Sequence, residues 1–153
     1  MEYLIVKWLH VLAAIVALGS NVTYAVWLSL AGRDPKSLPF ALRGIKVLDN
    51  RLANPSYGVL LLTGLLLVYL IRLPMTLPWL LTSLVLYVLT ALLGIFAYAP
   101  TLRAQLRLAE SHGPSSAEYL KAAKRGLRLG VLTIAIVVVI AFLMVVKPGL
   151  WLS

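Results

Sequence analysis

The chain contains no cysteine. Disulfides, thiolate metal sites, iron–sulfur clusters and haem attached covalently through a C-x-x-C-H motif are therefore excluded. Charge is also scarce, at 12% of residues against about 25% in soluble globular proteins. Only five acids occur (Glu2, Asp34, Asp49, Glu110 and Glu118) and only two histidines, His10 and His112. No metal cluster and no Ser/His/Asp set can be assembled from so few groups. Three Asn and one Gln complete the shortage, a pattern that thermophile proteins share and that a membrane composition also produces.

Apolar residues, by contrast, make up 61% of the chain, against roughly 45–50% in globular proteins. With a mean hydropathy of +0.95, the excess has to face lipid. A water-soluble enzyme, a disordered tail and a nucleic-acid module are excluded in spite of the net charge of +9. At 153 residues the length suits one domain, and residues 1–153 read as a single integral-membrane helical domain.

Four runs lack Asp, Glu, Lys and Arg: Trp8 to Gly32 (25 residues), Leu52 to Ile71 (20), Leu73 to Leu102 (30) and Leu129 to Val146 (18). A bilayer core of about 30 Å needs roughly 20 apolar residues per helix. These runs are also too continuous for barrel strands, so the expected fold is all-α, a four-transmembrane-helix bundle. The first run is too long for a secretory signal and follows Glu2 as well as Lys7, which predicts its retention.

Basic residues set the orientation. Arg33, Lys36, Arg43, Lys46 and Arg51 fall between helices 1 and 2, and Arg103, Arg107, Lys121, Lys124, Arg125 and Arg128 between helices 3 and 4. Those 11 of 14 cations predict both termini outside and the two long connections in the cytoplasm of a bacterial cytoplasmic (inner) membrane. Tyr3, Trp8, Trp79 and Trp151 outside, and Trp27 and Tyr98 inside, suit two aromatic belts.

The first connection, Ser37 to Leu52, gathers Leu38, Ala41, Leu42, Ile45 and Leu48 on one side, as expected of an interfacial amphipathic helix lying along the inner surface. Asn54 is expected to cap helix 2, with Pro55 at its first position. Helix 3 is expected to continue past Pro100 to about Glu110, with a break at Gly113-Pro114. A capping box at Ser115-Ser116-Ala117-Glu118 then starts helix 4. Helices 3 and 4 would so form a cytoplasmic extension.

All five acids lie outside the four runs, which argues against a proton relay at membrane depth. His10 is the one histidine in a span. Its face continues through Ala13, Ala14, Ala17 and Asn21, and such a strip leaves room for a flat group beside an imidazole, as an axial haem ligand needs. The same pattern suits a histidine bonded across helices whose alanines permit close packing. Helix 3 carries a second stripe, Ser83, Tyr87, Thr90, Gly94 and Tyr98, able to bond a cofactor edge or a quinone, or simply a neighbouring helix. Gly58, Gly64, Gly126, Gly130 and Thr133 read as packing positions, and His112 as a solvated turn residue.

The pattern Lys7-Trp8-Leu9-His10-Val11-Leu12-Ala13-Ala14 with Gly19, together with Asp49-Asn50-Arg51-Leu52-Ala53-Asn54-Pro55 leading into Thr63-Gly64-Leu65, resembles a bacterial family of predicted integral membrane proteins of unknown function. That family is more distantly similar to copper-resistance protein D and the J-type protoporphyrinogen oxidases. The resemblance implies haem b in a helical bundle with a helix 1 histidine as ligand, a position that only His10 matches. The expectation is a membrane b-type cytochrome or haem-binding subunit taking part in electron transfer. His10 would hold the haem iron, with Ala14, Ala17, Asn21 and Tyr87 about the cofactor. The expected partners are the lipid bilayer and a homo-oligomer or larger redox complex. The competing readings are a cofactor-free structural or assembly subunit and, more weakly, a small-solute or metal-ion permease.

Overall fold

A computed structural model describes residues 1–34 and 36–148. Among the described residues there are six α-helices: α1 (Glu2–Ala31), α2 (Leu38–Leu48), α3 (Asn54–Leu70), α4 (Pro78–Leu93), α5 (Ala99–Ser111) and α6 (Ala117–Val146). Two π-helical turns, Asp49–Ala53 and Gly94–Tyr98, join α2 to α3 and α4 to α5. The result is four continuous helices, each long and apolar enough to cross a membrane: Glu2–Ala31, Leu38–Leu70, Pro78–Ser111 and Ala117–Val146. Their outward faces expose Ile15, Leu62, Val85 and Phe142, the surface that a bilayer covers. Trp151 of the expected outer belt lies outside the described residues.

Both π-turns precede a proline by the same interval, Ala53 to Pro55 and Tyr98 to Pro100. In a regular α-helix each proline ring would meet the carbonyl four residues back, that of Arg51 or Phe96. Here the amide of Asn54 donates to Asp49 and that of Ala99 to Gly94, each five residues back, and the widened turn passes the proline without ending the helix. Asn54 is therefore helical and not a cap, because the chain is already helical from Leu38. The capping box is displaced by one residue. Ser116 is the N-cap of α6, its hydroxyl accepting from the Tyr119 amide at 3.2 Å, which leaves Glu118 in the first turn. Gly113, early in the preceding connection, has φ of +81°, a left-handed conformation that glycine tolerates.

The best-buried core sits at the cation-rich end, taken as the inner end. There Leu38, Ala41, Leu42 and Ile45 of α2 pack with Tyr24 and Ala31 of α1, Leu102 and Ala109 from α5, and Tyr119 of α6. Leu42 and Ile45 are fully covered. The apolar face of α2 is thus satisfied by protein instead of lying on lipid, since α5 and α6 project far enough to cover it. Arg43 Nε, on the exposed face of α2, reaches Glu110 Oε1 at 3.7 Å.

Higher in the bundle, α1 packs along α3 and α4 along α6. The two pairs meet through α1 and α6, whereas α3 makes no close backbone approach to α4. A cleft remains between the pairs.

Candidate functional site

His10 occupies the outer half of α1 and faces α3. Its Nδ1 lies 2.9 Å from Thr63 Oγ1, and Gly64 leaves space for the ring, since a Cβ there would stand 3.2 Å from His10 Cε1. The tautomer follows from Thr63. With the hydroxyl proton assigned to the Val59 carbonyl at 2.6 Å, the oxygen accepts toward His10. His10 Nδ1 is then the donor, and the lone pair resides on Nε2.

The alanines below His10 have a different use. Ala13 and Ala17 are buried, Ala17 to 1% exposure, on the helix that packs most closely along α3. Small side chains here bring two helices together. Ala14, one position round the helix, is half-buried.

Asn21 stands about 16 Å further along α1 at 1.5 Å per residue and belongs to another site. Both protons of its Nδ2 are committed, one to the Ala17 carbonyl at 2.8 Å and one to the Tyr57 hydroxyl at 2.6 Å. Tyr87 donates to the Tyr57 carbonyl at 2.8 Å and so bridges α4 to α3 across the cleft. The structure therefore groups Asn21 with Tyr87 and separates both from His10.

Asn21 and Tyr87 line a cavity of about 510 Å³ in the inner half of the bundle, within the usual size range of small-molecule sites. Tyr24, Tyr57 and Tyr98 also line it, as do Asp49, Asn54 and Arg103. The helix 3 stripe points inward as its spacing predicted, and Tyr87, Thr90, Gly94 and Tyr98 form one wall. Tyr98 accordingly faces the cavity and is not a lipid-facing belt residue. Both π-turns open onto the same space, one presenting Asp49 and Asn50 and the other Gly94, Ile95 and Tyr98. Such turns recur at functional sites because they re-aim side chains out of helical register.

Asp49 and Tyr24 are the residues that sequence reasoning missed. Asp49 lies outside the apolar run, yet the π-turn directs it inward. It receives long hydrogen bonds from Tyr24 Oη at 3.5 Å and Asn54 Nδ2 at 3.4 Å. The only available signal was the proline that follows a polar stretch within an otherwise helical segment. His112 ends α5 as an exposed residue beside Ser111, at the opposite end of the bundle from His10.

Residues 4–148 match the family described as predicted integral membrane protein (DUF2269). The chain belongs to this family. No curated protein and no solved structure matches it. Family and fold together make the protein a multi-pass integral membrane protein in contact with a lipid bilayer.

Proposed function

We propose that this member of the family is a membrane haem-binding subunit, with His10 Nε2 as an axial ligand to haem b and electron transfer within or beside a larger redox assembly as its role. The observation that carries the reading is Thr63. By accepting from Nδ1 it orients the imidazole and leaves Nε2 with a lone pair, the arrangement that outer-shell partners give to metal-binding histidines. The pattern around His10, read as resembling helix 1 of copper-resistance protein D and the J-type oxidases, suggested the same choice. The donor set suits one axial position. When bound, the haem supplies one-electron chemistry, while the protein contributes orientation and a low-dielectric surrounding.

A second reading rests on Ala13 and Ala17. Their burial against α3 suits a cofactor-free structural or assembly subunit in which His10 ties two helices. An absorption spectrum of protein purified in mild detergent after expression with ample haem separates the two. A Soret band with reducible α and β bands, lost in His10→Ala, supports haem. A colourless preparation that retains its helical circular dichroism overturns the haem reading.

A further inference from the structure

Asp49 is a half-buried carboxylate facing a cavity, in no ion pair among the described residues. The one ion pair among the described residues is Arg43–Glu110. The hydrogen bonds to Asp49 from Tyr24 and Asn54 are both at the long limit and compensate little of what a charge loses away from water. Asp49 has a short side chain on the π-turn that joins α2 to α3 and packs against α1.

We propose that the inner-half cavity is a binding site for an amphipathic organic cation, with the Asp49 carboxylate as counter-charge and the rings of Tyr24, Tyr57 and Tyr98 as its aromatic wall. Four observations converge on this ligand class. The volume of about 510 Å³ admits a drug-sized molecule. The tyrosines come from three different elements, α1, α3 and the second π-turn, and their electron-rich faces attract cations, most strongly where water is excluded. Ala25, Leu28, Val131 and Ile134 complete the lining and accept an apolar body. The cleft between α3 and α4 leaves a lateral route from the inner leaflet.

Arg103 lines the same cavity and would by itself favour an anion. It is, however, an exposed residue of α5, and its stem is long enough for the guanidinium to reach the aqueous interface. The charge that stays inside is that of Asp49. This site is separate from His10, and its test does not depend on haem.

Equilibrium binding of tetraphenylphosphonium, a lipophilic quaternary cation, to the full chain in non-ionic detergent tests the proposal. Saturable binding is expected, weakened about tenfold or more in Asp49→Asn and several-fold in Tyr98→Leu. Asp49→Glu should retain most of it, and the neutral analogue triphenylphosphine oxide should compete poorly. Absence of saturable binding, equal binding by Asp49→Asn, or equal competition by the neutral analogue would each overturn the proposal. The competition arm uses the unaltered protein and decides the matter even where Asp49→Asn fails to fold.

Discussion

His10 Nδ1 and Thr63 Oγ1 stand 2.9 Å apart, and theirs is the one side-chain hydrogen bond joining α1 to α3 in the outer half of the described bundle. Thr63→Val keeps the branched shape and removes the acceptor. The stability cost should be small, about 0.6 kcal/mol and no more than about 1.7, as for other interhelical bonds in membranes. Haem retention should fall much further, about 10- to 100-fold in affinity, because an imidazole without its orienting partner rotates. Titration of the apo-protein with haem, alongside detergent melting, measures both. Equal losses in the two would make Thr63 a packing residue only.

Gly126 of α6 receives the buried amide of Gln105 from α5, and a Cβ there would collide with it. Gly126→Ala should therefore destabilise the inner extension by about 1–3 kcal/mol, the usual range for overpacking. Adding Gln105→Ala should recover most of that loss, since the clash disappears with the amide. Thermal unfolding in detergent would show it. A double variant no better than Gly126→Ala would mean that the close approach of α5 and α6 has another cause.

Orientation can be read by labelling. Thr76 is exposed in the connection between α3 and α4, and Ser115 is exposed ahead of α6 at the cation-rich end. With no native cysteine to interfere, an impermeant maleimide should modify Thr76→Cys in intact cells and reach Ser115→Cys only after lysis. The reverse pattern would invert the assignment drawn from the positive-inside rule.

The spans were legible because the bilayer imposes a length and an apolar composition that no other constraint overrides. The inward direction of Tyr87 and Thr90 was legible from spacing alone, whereas Tyr98 suited both that stripe and the inner aromatic belt. The π-turns were not legible. Pro55 read as a helix start and Pro100 as a position that helix 3 continues past, and nothing in a single sequence distinguishes a proline that ends a helix from one passed by a widened turn. Asp49 was misplaced for that reason, counted as an acid outside the spans in an interfacial helix although the turn aims it into the cavity. The covered face of α2 was hidden by a related ambiguity, since an apolar stripe of Leu38, Leu42 and Ile45 suits lipid and protein equally.

The coordination of a haem at His10 gives the last prediction. A single chain offers one imidazole at membrane depth, because His112 ends α5 at the far side of a core of about 30 Å. Lys7, one turn before His10, places its ammonium over the Tyr3 ring at 5.8 Å from the centroid, and as an ammonium it has no lone pair to donate. A haem held by His10 would therefore take any further ligand from outside the chain, as from His10 of a second copy across a two-fold axis. Purified monomer should give a high-spin ferric signal that added imidazole converts to low spin, whereas a dimer bridged through the iron should be low-spin at the outset. His112→Ala should leave either spectrum unchanged. A low-spin bis-nitrogenous signal from a proven monomer would contradict the assignment, because no second nitrogen ligand in the described chain can reach the iron.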